Sequence, residues 1–182
     1  MTLLKWIKTF VWLFSLLFMI GGHVTPIYGT VASDEGLVPA NYLNITADGA
    51  VLMDASTGAI LYGKQAHKQR PPASTTKILT AILGLEMGKP EELVVVSEKA
   101  AAVGEATIYL DPGEKILLYE LITGAMIKSG NDACVAIGEH IAGVEENFVQ
   151  IMNKKAFLLG AMNTNFRNTN GLPAKNHYST AY

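Results

Sequence analysis

From Ser74 to Met87 the chain sets Ile78, Leu79, Ala81, Ile82, Leu83, Leu85 and Met87 on nearly every face of one predicted helix. So broad an apolar surface needs cover on several sides, which predicts this helix in the middle of a domain. Its ends are marked. Pro71-Pro72 hold the backbone before it out of the helical region, and Gly88 and Pro90 stop it.

The other elements are sparser. Ala50 to Ala55 and Ala59 to Tyr62 flank Ser56-Thr57-Gly58 and read as a β-hairpin. A strand-poor connection containing Asp111-Pro112-Gly113 leads to predicted helices over Leu117 to Lys128, Ala133 to Ala142 and Val144 to Leu159, with Ser129-Gly130-Asn131 in the turn between the first two. Asn163 to Asn170 reads as a loop or a short strand. One hairpin beside four helices is an unfinished architecture, because an isolated two-stranded sheet is marginal and leaves both edges open.

Length and charge narrow the class. The 182 residues suit one domain, and a net charge of −2 without a basic stripe argues against nucleic acid as a partner. Lys5 and Lys8 precede an apolar run from Phe10 to Ile20, about 11 residues, short of the roughly 20 a membrane-spanning helix needs. With Thr30-Val31-Ala32 behind it, this is the layout of a secretory signal peptide over residues 1–32, the alternative being an uncleaved anchor. The expected location is therefore outside the cytoplasm, with residues 33–182 as the exported part.

Two constellations bear on chemistry. Ser74-Thr75-Thr76-Lys77 puts a hydroxyl and an amine one turn apart at a helix start, so that a buried Lys77 beside other cations, favouring its neutral form, can take the proton of Ser74. The first N–H groups of the helix add a positive dipole end, and the Ser74 N–H is a candidate oxyanion donor. Alone, the pattern more often describes a capping Ser followed by an exposed Lys. Ser129-Gly130-Asn131 supplies a second hydroxyl, a candidate proton relay, and an amide able to hold a substrate's amide. It is also a plain turn by composition. A signal peptide, then Pro-Ala-Ser-x-x-Lys opening an apolar helix, then Ser-Gly-Asn between helices is an order that chance seldom produces.

Other features carry less. Gly58 to Lys64 has the glycine spacing of a P-loop, but a strand fills the interval and Gln65 replaces the hydroxyl residue. The histidines are scattered without H-E-x-x-H spacing, so no metal site is expected. Cys134, the single cysteine, excludes an internal disulfide and reads as a small core residue.

The sequence resembles the low-molecular-mass penicillin-binding proteins, the serine D-Ala-D-Ala carboxypeptidases, whose pattern is S-x-x-K, S-x-N and K-T-G. The resemblance is carried by Ala50 to Gly58, Pro72-Ala73-Ser74-Thr75-Thr76-Lys77, Lys128 to Ala133, Asn168 to Leu172 and His177 to Tyr182. It implies an α+β fold of the penicillin-recognising serine transpeptidase/β-lactamase type, an antiparallel sheet with a helical lobe. It implies Ser74 as the acylated nucleophile, Lys77 as its base, Ser129 as the relay to the leaving D-alanine, and Asn131 on the substrate's amide. No metal or other cofactor is implied. The substrate would be the peptidoglycan stem peptide ending in D-Ala-D-Ala, with β-lactams as inhibitors, at the outer face of the bacterial envelope and with membrane association through it.

No K-T-G occurs in this sequence, which has 51 residues after Asn131. The expectation is an N-terminal part of the enzyme's catalytic domain, without the strand, the carboxylate-binding cation and the second oxyanion N–H of that element. The rival readings are an inactive truncated fragment, and a DD-endopeptidase or β-lactamase using the same serine.

Overall fold

The computed structural model describes residues 44–182. The predicted signal peptide and its Ala32 cleavage site lie outside them. Strands β1 (Ala50–Met53) and β2 (Ile60–Lys64) form the expected antiparallel hairpin, with Ala50 opposite Lys64, Leu52 opposite Tyr62 and an irregularity after Leu52. Asp54 locks the turn. Its Oδ1 accepts from the hydroxyls and amides of Ser56 and Thr57 at 2.7–3.1 Å, and these bonds, the Ser56 hydroxyl first, hold its carboxyl down at about 2.

Beyond Pro72 a short 3-10 turn, Ala73–Thr75, opens into α1 (Thr76–Met87). Strand β3 (Leu93–Val95), α2 (Glu98–Ala101), β4 (Lys115–Leu117), α3 (Leu118–Ile127), α4 (Asn131–Ala142) and α5 (Glu145–Leu158) follow. The four long helices match the predicted ones, with α1 starting at Thr76 rather than Ser74 because Ala73–Thr75 winds as a 3-10 turn. The single-hairpin reading is corrected: β3 and β4 make a second antiparallel pair, with Leu93 opposite Leu117 and Val95 opposite Lys115. Three residues are too few for alternation to show. Val94 is buried while Leu93 and Val95 face out, a pattern that any short apolar run contains.

The centre of the described residues is α4, not the Ser74 helix. It packs against α1, α3 and α5 and reaches α2 and β3, and it is buried continuously from Asn131 to Gly138. Small residues permit that approach. A methyl group on Gly138 would meet Thr169 at 3.0 Å and the Phe148 ring at 3.3 Å, so three elements close on α4 where Ala133, Cys134, Ala136 and Gly138 leave room. Around it Leu118, Leu121, Phe148 and Met152 are wholly buried, as is its own Ile137.

Helix α1 buries Thr76, Lys77, Leu79, Thr80 and Leu83 but leaves Ile78, Ile82 and Leu85 between 38% and 56% exposed. The apolar surface read from the sequence is thus covered on one side by the described residues and open on the other. The last segment returns to this helix. Asn165 pairs with Tyr178, and Ser179 pairs with Arg70, as antiparallel bridges, which sets the stretch from Thr164 to Ser179 beside the entry to α1.

Candidate active site

Ser74 sits in the 3-10 turn with its side chain open to solvent. One turn on, Lys77 is 3% exposed, and its Nζ donates to Ser74 Oγ at 3.2 Å and to the Asn170 carbonyl at 2.6 Å. The i, i+3 spacing across a 3-10 to α junction is what lays the amine against the hydroxyl. Burial pushes the Lys77 amine below its ordinary value, opposed by Cys134 and Glu105 nearby. The sequence reading asked for neighbouring cations to free the amine. The downward push here comes from desolvation, because removing an ammonium from water disfavours the charged form without any help from like charge.

Ser129 reaches the same oxygen, donating to Ser74 Oγ at 3.0 Å. Its backbone is left-handed, φ +59°, as is that of Ala73 beside Ser74, φ +47°. Such conformations cost roughly 1–2 kcal/mol for a residue other than glycine and persist where surrounding contacts enforce them. The enforcing contacts are visible at Ser129: Gly130 N–H bonds back to Gly124 O, and Asn131 N–H to Ala106 O. Asn131 is the first residue of α4 rather than part of the turn, and it is 3% exposed. Its Nδ2 donates to Gly104 O at 2.9 Å, so the group it can turn to a ligand is the acceptor Oδ1.

All four sequence-predicted residues therefore converge, and Ser74, Lys77 and Asn131 share a cavity of about 290 Å³ with Glu105, Asn170 and His177. Sequence reasoning gave no role to Asn170 and His177, which entered only through the resemblance. Asn170 contributes a backbone carbonyl. Its neighbour Gly171, at φ +90°, lies so close to Ala73 that a Cβ would fall 1.9 Å from the Ala73 carbonyl oxygen. The turn is braced from outside, since Glu145 Oε1 accepts from Thr169 N and Oγ1 and pairs through Oε2 with Lys99. Thr169 O accepts from Thr80 Oγ1 at 2.6 Å, which ties the turn to α1 next to Lys77.

His177 closes the floor. Its Nδ1 accepts from Arg167 N–H, so Nε2 carries the proton and donates to Thr76 Oγ1 at 3.1 Å. Burial pushes its pKa below the ordinary 6.5, and the folded form keeps the ring neutral. Unfolding then takes up a proton below that value, so this contribution to stability is complete above pH 6.5 and is lost as pH falls through the folded pKa. Urea midpoints measured from about pH 8 down to about pH 5 are expected to fall more steeply for the wild type than for His177→Gln. Parallel profiles would show that the imidazole does not carry the dependence.

Cys134 lies under the site, wholly buried, its thiol pushed up to about 12 by desolvation. It packs and does not react.

Compared with known proteins, residues 36–182 match the family described as Peptidase_S11, D-alanyl-D-alanine carboxypeptidase. D-alanyl-D-alanine carboxypeptidase DacF of Bacillus subtilis is 47% identical over 141 residues, covering 75% of this chain and 36% of its own length. Among solved structures, D-alanyl-D-alanine carboxypeptidase DacD from Francisella tularensis superposes with a TM-score of 0.73 at 35% identity, over 87% of this chain and 40% of that one. Penicillin binding protein 5 from Haemophilus influenzae gives 0.72 at 35% identity, over 80% of this chain and 44% of that one. The chain thus spans well under half the length of these relatives.

Proposed function

Since the chain belongs to the D-alanyl-D-alanine carboxypeptidase family of serine peptidases, we propose that it supplies the nucleophile half of a D-Ala-D-Ala carboxypeptidase that trims peptidoglycan stem peptides. The observation that carries this reading is one oxygen with two partners: Ser74 Oγ holds Lys77 Nζ and Ser129 Oγ at 3.2 and 3.0 Å at the mouth of a cavity.

The chemistry follows from those contacts. Neutral Lys77 takes the Ser74 proton as Oγ attacks the carbonyl of the penultimate D-alanine, and the negative charge formed on that oxygen faces the Ser74 N–H at the head of the turn. Asn131 Oδ1 accepts from a substrate amide N–H and fixes the scissile bond over Oγ. As the C–N bond breaks, the proton passes through Ser129 to the departing amine of D-alanine. Water then cleaves the Ser74 ester by the same route in reverse. The Asn170 carbonyl keeps Lys77 aimed throughout, and no metal enters the scheme. A β-lactam acylates the same oxygen. The K-T-G element does not occur in these 182 residues, so the groups that hold the substrate's terminal carboxylate are not among those assigned.

This role places the protein in the bacterial envelope, exported by residues 1–32 and acting on the outer side of the membrane. The test is a product analysis on the protein that carries this chain, with a stem pentapeptide, a crosslinked dimer and a penicillin as substrates. D-alanine release from the pentapeptide, with the dimer intact and the penicillin held as an ester, is the expected result. Cleavage of the dimer would make it an endopeptidase, and rapid release of penicilloate a β-lactamase.

A further inference from the structure

We propose that Glu105 reads a positive charge on the acyl side of the substrate, making this a site for peptides with a free amine on the residue before D-Ala-D-Ala. The inference rests on the serine reading above and extends it to the donor peptide. Glu105 lines the same cavity as Ser74 and Lys77, its side chain is exposed, and among the described residues it enters none of the ion pairs.

Its backbone is fixed. The residues on either side are tied to the start of α4: Gly104 O accepts from Asn131 Nδ2 and Ala106 O from Asn131 N, while Asp132 accepts from Ile108 N and Leu110 N. Between these anchors Glu105 is held at φ +65°, a left-handed conformation that glycine would adopt without strain. A carboxylate therefore stands at a conformationally costly position, in a rigid loop, at the edge of the reaction site, with no ion pair among the described residues.

The sign of the charge settles which part of the substrate it meets. The leaving D-alanine ends in a carboxylate, and placing that anion beside Glu105 costs energy, so the leaving group lies away from it. The acyl donor occupies the Glu105 side, and the charge that fits there is an ammonium. Glu105 also favours the protonated form of Lys77, which works against the base; a substrate cation beside the carboxylate offsets that effect during turnover.

The test uses Nα-acetyl-L-Lys-D-Ala-D-Ala and its Nε-acetylated analogue, which differ in one positive charge. With the protein that carries this chain, kcat/KM for D-alanine release is expected to be about two- to fivefold higher for the free amine, the range an exposed ion pair supplies. The ratio should fall to about one in Glu105→Gln, invert in Glu105→Lys, and shrink with added salt. Taking the ratio cancels any effect of these changes on the Ser74–Lys77 pair. A wild-type ratio of one or less, or a preference that survives in Glu105→Gln, overturns the inference while leaving the serine reading intact. Absence of both peptide cleavage and penicillin labelling overturns the serine reading, and this inference with it.

Discussion

Ser74→Ala in the protein that carries this chain is expected to abolish covalent labelling by a radiolabelled penicillin and to reduce D-alanine release by at least about a thousandfold. No other described hydroxyl combines the three features of Ser74: an exposed oxygen, a buried amine at 3.2 Å and the head of a helical turn behind it. Lys77→Met should cost nearly as much, since residues that act as a unit lose function together. It should also remove the acidic limb of the acylation rate, which in the wild type lies below the range of an ordinary lysine because burial lowers the amine's pKa. Ser129→Ala is different. It removes the proposed relay to the leaving amine, so the ester should still form with penicillin while peptide turnover falls. Peptide mapping after labelling decides the roles: a modified Ser129 with an unmodified Ser74 would reverse them.

Gly171→Ala is the second large effect. A methyl group here would sit 1.9 Å from the Ala73 oxygen and 2.4 Å from its carbonyl carbon, with Ser74 N at 3.1 Å, at φ +90°. The obstacle is backbone, and moving it displaces either the turn that carries Ser74 or the Asn170 carbonyl that Lys77 donates to. We expect a loss of about 3 kcal/mol or more in stability, since steric overlap and a left-handed backbone both oppose the side chain. Labelling by penicillin should fall at least tenfold in whatever fraction remains folded. Gly58→Ala is the matched control. It has φ +72° but no atom within 4 Å of the added Cβ, so it should cost only about 1 kcal/mol of backbone strain. Urea denaturation and labelling rates on both variants check the contrast; equal losses would show that strain, not the clash, is what matters at Gly171.

What was legible in the sequence was the side-chain part of the site. Ser74, Lys77, Ser129 and Asn131 each carry a functional group in a fixed spacing, and the helices that hold them have clear periodicity and stops. The backbone part was not legible. Asn170 acts through its carbonyl, which every residue possesses, and the neighbouring Gly171 is the one signal that could have pointed to a close approach of the chain there. The fold divides in the same way. The hairpin announced itself through Ser56-Thr57-Gly58, whereas β3 and β4 form because Leu93 and Leu117 meet across a connection that separates them in sequence. Predicting the Ser74 helix at the centre weighed apolar content alone. Close packing among the described residues favours the slimmer α4, where Ala133, Ala136 and Gly138 let neighbours in.

The bond from Lys77 to the Asn170 carbonyl also sets an order of events during folding. Its partners are 93 residues apart, and the Thr76–His177 bond spans 101. Contacts that distant form after local ones, because a long loop must close first. A chain emerging from its N-terminus therefore presents Ser74 and Lys77 on a nascent helix well before the turn that buries the amine exists. Until that turn docks, Lys77 is hydrated and charged, and Ser74 is an ordinary alcohol. Reactivity toward penicillin should accordingly appear late in refolding, in step with burial of Thr169 and Asn170 rather than with helix formation.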